Sequence, residues 1–489
     1  MKERAGQGCG RIAVLALAVL WSSGCASYTS RMASARRSFV EGDYPSALAE
    51  ITDDECEDST DGLLALLERG TIHQAAGEYE ASNRDFEKAY GVFRDFDRRA
   101  DVSLRDAGNE AAAAVTNETV LPYKGKGYEK LLLYCYKALN YLMLGDVQGA
   151  RVERFRFDQQ RKEEARRHQE ELEEARKEAR EQNVNQATID RTGSDLLQSF
   201  GPEARARASR GINLYLSAFG SYLSSIIYDI EGEFSEAAID CSRVLEQCPE
   251  FVYAGRDAYT YGEGSRVPLP GEEFSLAERG DLVVFLQCGL APVKREVYIP
   301  IAIDNFIVSL AFAVYDTVPT KIAGARVLVD GQDWGTTLLL DDVEAQAIQT
   351  LVDDIPITVT RQIVRAVIKG TAANAAADAN GWVGLLFDIY NMASEQADLR
   401  SWLLLPKNIQ GFRAYPPQGA RKVEVQVLGP AGEVLGKTGL DLELRPDRSL
   451  IVAVRAIGYT PELPGGMTLT TQWRSIPRVP LGTRPRPRL

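Results

Sequence analysis

The sequence predicts an α+β multidomain chain: an N-terminal array of helical hairpins, followed by an antiparallel β-sandwich that carries a helical insertion. Three observations lead to this reading. Four segments of the first half repeat one helix–turn–helix pattern around a glycine and an acidic residue. After Pro268, Pro270 and Gly271 the apolar period changes from helical to alternating. The 489 residues also exceed what one core usually organises, so two or three domains are expected. With 45% hydrophobic and 26% charged residues the chain has ordinary globular composition, which excludes a wholly disordered or polytopic membrane protein. Asp and Glu outnumber Lys and Arg by 69 to 56, and the net charge of −13 weighs against a general nucleic-acid binder.

The first element is a targeting segment. Lys2, Arg4 and Arg11 precede the apolar run Ile12–Trp21, which is too short to span a bilayer, so residues 1–24 read as a signal peptide. The run ends in Ser22-Ser23-Gly24-Cys25. Small residues before a cysteine resemble the lipobox of bacterial lipoproteins, with Ser22 standing where that pattern prefers Leu. The resemblance makes Cys25 the lipid-attachment residue, and Ala26, rather than Asp, implies sorting to the outer membrane. The alternative is an ordinary signal peptide cut near Ala26. Of the seven cysteines, Cys56, Cys135, Cys241, Cys248 and Cys288 remain beyond Cys9 and Cys25. Their odd number argues against a complete disulfide framework. Cys241 and Cys248 lie two helical turns apart, too far to be bridged on a regular helix.

Residues 25–260 form the predicted helical domain. Its turns are Gly42-Asp43-Tyr44, Gly77-Glu78-Tyr79, Gly145-Asp146-Val147 and Gly232-Glu233-Phe234. Three residues after each turn's apolar residue stands a small one: Ala47, Ser82, Ala150 and Ala237. Seven before each glycine stands another: Ala35, Gly70, Ala138 and Ser225. Pro249 follows the last unit. Glycine permits the tight turn and small residues let paired helices approach. The pattern resembles the tetratricopeptide repeat, which implies a curved array of stacked hairpins. An irregular helical bundle is the alternative. The spacing of the last two turns leaves room for a charged helical insertion over about 151–190. Within it Arg161–Glu181 has Leu172 as its sole large apolar residue and reads as a solvated helix. His168 lies in that run without a second ligand nearby, and His73 reads as a packed or capping imidazole.

Residues 261–279 read as a linker, and 280–460 as the β-sandwich. Leu282–Leu286 is a short apolar run, and Val297, Ile299, Ile301 and Ile303 alternate. Val327–Val329, Asp330-Gly331 and Trp334–Leu340 read as a hairpin. Val423, Val425 and Val427 alternate with Lys422, Glu424 and Gln426, and Leu442–Leu444 and Ile451–Val454 complete the strands. A helical insertion spans about 341–402, with Ala373, Ala377 and Gly381 on one face. Residues 461–489 read as a tail ending in the basic, Pro-rich Gly482–Leu489.

Taken together, Tyr128–Gly149, Tyr222–Pro249, Gly280–Pro300 and Ser394–Pro406 resemble a bacterial family of tetratricopeptide-containing outer-membrane lipoproteins of unassigned activity. That resemblance implies architecture and location and brings no catalytic residues.

Signs of catalysis are thin. The sequence has no GxSxG elbow, HExxH helix, Walker loop or Rossmann fingerprint. No CxxC pair and only two histidines are present, so no metal site and no cofactor is expected. Asp398 and Arg400, beside Trp402, form the densest polar cluster and read as a structural ion pair. The expected function is a lipid-anchored, periplasm-facing scaffold or adaptor, not an enzyme, that binds an envelope protein or peptide segment in the concave face of the array. That face would present Leu66, Gly70 and His73 from one hairpin and Tyr134, Ala138 and Tyr141 from another, with Tyr228 a further contact. The alternative is a glycan- or peptidoglycan-binding lipoprotein acting through the sandwich, for which exposed Trp334 and Tyr315 would be the mark.

Overall fold

A computed structural model describes residues 28–58, 60–103, 121–208, 216–261, 278–303, 306–379 and 396–479. Cys25, the 1–24 segment and the 482–489 tail lie outside the described residues, as do Gly381 and the side chains of Ala373 and Ala377. The helical half comprises α1 (Tyr28–Arg31), α2 (Ala33–Glu41), α3 (Tyr44–Ala49), α4 (Asp53–Asp58), α5 (Gly62–Ala76), α6 (Tyr79–Ser103), α7 (Gly127–Leu144) and α8 (Val147–Glu181). It continues with α9 (Gln186–Ser199), α10 (Pro202–Ala208), α11 (Ala218–Glu231), α12 (Phe234–Gln247) and α13 (Val252–Tyr261).

The four glycine turns have one geometry. Gly42, Gly77, Gly145 and Gly232 lie at φ between +75° and +82°, a left-handed conformation that side chains with a Cβ resist. In each, the glycine N–H donates to the carbonyl three residues back and the next N–H to the carbonyl five back. This is the six-to-one closure of a Schellman end. Asp43 and Asp146 then cap the next helix, accepting from Ser46 N and Gly149 N. The small residues beyond the turns, Ala47, Ser82, Ala150 and Ala237, are fully buried between paired helices. Four hairpins result: α2/α3, α5/α6, α7/α8 and α11/α12. At Gly70 an added Cβ would lie 2.4 Å from the Phe86 ring.

The charged run is helical. α8 continues unbroken from the hairpin into it, and the run is solvated on one side only. Ala175 and Ala179 are buried, and Glu174 pairs with Arg361 at 3.3 Å. The Glu163–Arg167 pair forms at 2.7 Å, whereas Lys177 turns to Glu181.

Strands follow in the second half: β1 (Asp281–Cys288), β2 (Val293–Ile303), β3 (Phe306–Asp316), β4 (Gly324–Val329), β5 (Gln332–Thr336) and β6 (Leu338–Asp341). Then come helices α14 (Val343–Asp353) and α15 (Ile355–Ala379), the inserted segment, and strands β7 (Asn408–Ala414), β8 (Gly419–Leu428), β9 (Val434–Leu444), β10 (Arg448–Gly458) and β11 (Met467–Pro477). One sheet has the order β11-β10-β1-β7-β6, a second β5-β4-β8-β9, and β2 pairs with β3 alone. The pattern is mostly antiparallel, but β1 and β10 run parallel. The Asp330-Gly331 turn joins β4 to β5 with both residues at positive φ.

β1 explains the layering. Leu282, Val284, Leu286 and Cys288 share an apolar layer with Val327, Val423, Val425 and Leu444 of the second sheet. Val283 and Phe285, on the opposite face, join the core of the helical half. The molecule therefore stacks helices, a five-stranded sheet and a four-stranded sheet, and the helices are not a separable arm.

β11 lies in the segment read from sequence as tail, and it pairs along the whole of β10. Its helix-facing side crosses the hairpin turns in chain order. Thr468 Oγ1 donates to Val40 O, Tyr44 and Thr470 hydroxyls meet at 2.6 Å, and Gln472 lies against Gly77. Arg474 donates to Leu144 O, and Val479 N to Ile230 O.

The small-residue contacts give opposite predictions for two glycines of neighbouring helices. Gly70→Ala forces a methyl into a Phe86 ring already held by Tyr136 and Trp402, and is expected to cost about 1–3 kcal/mol. Gly91→Ala, with nothing within 4 Å, is expected to stabilise α6 by about 0.5–1 kcal/mol. Urea unfolding of both variants measures the two signs.

Candidate functional site

The inner face of the helical array meets the molecule's own chain. Segment 400–405 threads between α5 and α7, and two glutamates on these helices take its backbone. Glu68 accepts from Leu403 N at 2.6 Å and from Leu404 N at 2.9 Å, and Glu129 accepts from Trp402 N. Trp402 Nε1 donates to Thr71 Oγ1, and the indole lies edge-on to Phe86 and Tyr136. Arg400 anchors the segment: it pairs with Asp398 at 2.8 Å and with Asp61, and donates to Leu121 O. The Asp398–Arg400 ion pair singled out in the sequence thus fastens the chain to the array. Burial pushes Glu68 up to about 8, against the two amide donors that favour its charged form.

The residues expected on an open concave face are accordingly placed elsewhere. Tyr134 is 3% exposed, edge-on to Tyr90 with its hydroxyl toward Gln160, and offers no surface to a partner. Tyr141 is half-buried against Gly149, and Tyr228 carries the Arg154 guanidinium 3.8 Å from its ring centre. Leu66, Gly70 and Ala138 are buried. For the glycan alternative, Tyr315 is 2% exposed beside Tyr128, and Trp334 is half-buried over the layer between the two sheets. Packing wins over display for Tyr134, Tyr141 and Tyr228 because neighbouring helices, α6 and α8, cover them.

Among the described residues, a cleft of about 510 Å³ lies between the first two hairpins. It lies where α3, six residues long, ends beside the α5/α6 pair. Leu48, Ile51 and Ala81 supply apolar wall. Arg69 spans the cleft, gripping Asp85 through two nitrogens at 2.7 and 2.8 Å and reaching Asp53 at 2.7 Å. His73, in the last turn of α5, has Nδ1 2.6 Å from the Glu78 carboxylate. Arg84 and Lys88, one turn apart on α6, are exposed on the rim. An apolar wall with cationic side chains on its rim is suited to a peptide segment carrying an acidic residue.

Sequence reasoning missed a second cluster, which is fully enclosed. Arg413 of β7 pairs with Asp229 of α11, Asp257 of α13 and Asp281 of β1, and Nη1 also donates to Tyr261. Arg478 reaches Asp229 and Asp281, and Arg256 pairs with Asp257. Three carboxylates therefore meet three guanidiniums. The signal available was the interruption of apolar runs by single charges, as at Asp229 and Arg413. Cys56, Cys135, Cys241, Cys248 and Cys288 are all free thiols. Among the described residues no three His, Cys, Asp or Glu side chains converge as metal ligands, and no helix is long and apolar enough to cross a membrane.

No protein-family model, curated protein or solved structure matches the chain.

The position of Glu68 sets a pH dependence. Its folded value, about 8, lies above the ordinary 4.5, so the folded protein holds a proton that the unfolded chain has released over that interval. Its contribution to stability is full below about 4.5 and is lost as pH rises to about 8. Urea unfolding across this interval should give a falling profile in the wild type and a flatter one in Glu68→Gln.

Proposed function

We propose that the chain is a lipid-anchored scaffold of the bacterial outer membrane, facing the periplasm, in which tetratricopeptide-like hairpins stand on a β-sandwich and bind an envelope protein through a peptide segment. The observation that carries this reading is the cleft between the first two hairpins. The own-chain segment at Trp402 occupies the inner face, so binding falls to the place where α3 stops short. The four turns of equal geometry support the repeat, and the apolar layer shared by the two sheets supports the sandwich. Cys25 anchors the chain and works without a cofactor. Its activity is binding: Arg69, Asp53 and Asp85 of the cleft are tied into ion pairs, a support for the wall.

Two measurements test the proposal. Labelling with a palmitate analogue should mark the wild type and fail in Cys25→Ser; equal labelling overturns the anchor. A photo-crosslinking residue at Arg84 should trap one or two envelope proteins in living cells, and the same residue at Asp441, on the exposed edge of β9, should not. Paired charge reversal, Arg84→Glu with Lys88→Glu, should weaken capture about tenfold or more. Equal capture at both positions removes the cleft as the binding site.

A further inference from the structure

A different feature lies between the helices and the five-stranded sheet. Gln287, Arg455 and Thr470 are neighbours across β1, β10 and β11 and form a polar row directed at α5 and α7. Thr71, Gln74 and Tyr79 face them, and the layers leave a small cleft there. Arg455 is 6% exposed. Its Nη2 donates to Leu404 O at 3.2 Å, while Nε and Nη1, both buried, meet no hydrogen-bond acceptor. No carboxylate among the described residues ion-pairs with it. Several other buried guanidiniums have carboxylates: Arg413 has three aspartates, Arg400 two and Arg36 has Glu462, while Arg154, which lacks an ion pair among the described residues, lies 3.8 Å from the Tyr228 ring centre.

A guanidinium keeps its charge at any pH the protein meets, so it cannot relieve burial by losing a proton. Its surroundings are the Phe39 ring, 5.7 Å away, and the apolar Ala75, Leu139 and Ala453 of the cleft wall. Water would supply acceptors but leave the positive charge uncompensated in a low-dielectric layer. An anion supplies both. The cleft leaves about 20 Å³ in which the centre of a water-sized sphere can move. One water needs roughly 10–15 Å³ by that measure, so the cleft has room for a single small species.

We infer that this cleft is a binding site for one chloride-sized monovalent anion, held by Nε and Nη1 of Arg455 between the helical layer and the sheet. The amide of Gln472 and the hydroxyl of Thr470, both on the cleft wall, are the neighbouring donors. Because β10, β11, α5 and α7 all contribute wall, the anion ties the helices to the sheet and belongs to the folded state alone.

Crystals of the full chain grown with bromide replacing chloride provide the direct test. An anomalous peak within hydrogen-bonding distance of Arg455 Nε or Nη1 is the expected result; a cleft without one, or holding water alone, overturns the proposal. In solution, the melting temperature should rise saturably by about 1–3 °C when chloride or bromide replaces gluconate at matched ionic strength. It should stay flat in Arg455→Met. Equal melting of the wild type in chloride and gluconate also overturns the site, and neither wild-type measurement depends on how well the variant folds.

Discussion

Helix C-termini leave carbonyls without partners, and in this protein the last strand supplies several of them. α2, α7 and α11 each end at a left-handed glycine, and each has one terminal carbonyl met by β11 or the residue just beyond it: Val40 by Thr468, Leu144 by Arg474, Ile230 by Val479. The positive side chain of Arg474 also suits the negative end of the α7 dipole. β11 would otherwise be a bare sheet edge, open to pairing with another chain, and the turns cover part of it. Two liabilities, orphan carbonyls and an exposed edge, cancel along one line. That line joins the first hairpin to the last through a strand that is adjacent to none of them in sequence.

Buried acids make the same connection at other points. Glu68 and Glu129 hold the backbone of Trp402–Leu404, and Asp341 at the end of β6 accepts from Ala218 N and Phe219 N at the start of α11. The Arg413 cluster brings α11, α13, β1 and β7 to one point, with Arg478 closing it from beyond β11. Buried charges contribute little net stability against apolar replacements, but a single unpaired member is costly. Such a cluster therefore penalises other dockings of the helices on the sheet more than it deepens this one. Asp398 and Arg400 act alike at the opposite end of the interface.

The hairpins were legible because their requirements are local. A glycine at φ near +80°, an acid beside it and small residues on facing helices all fall within one unit of sequence. Most strands were legible for a similar reason: Val423, Val425 and Val427 alternate because one face is dry. β11 was not, since Met467–Pro477 holds three threonines, a glutamine and an arginine and shows no sustained apolar alternation, although it pairs along the whole of β10. The layering was hidden in β1, where an unbroken apolar run is compatible with burial by anything. Tyr134 failed as a surface residue for the same cause: repeat patterns specify which helix face is apolar, not what covers it. The cleft lies where α3 ends, a place with no motif to mark it.

The proposed anchor and the fold constrain each other. Cys25 stands three residues before Tyr28, which is buried with Glu68 of α5 and Glu129 of α7 acting on its hydroxyl. An extended chain gains at most about 3.6 Å per residue, so a lipid on Cys25 lies within roughly 11 Å of the folded body. Under the proposed anchoring, a lipid there would hold the folded body close to the bilayer, and a partner segment reaching the cleft between the first two hairpins would have to do so near the membrane surface.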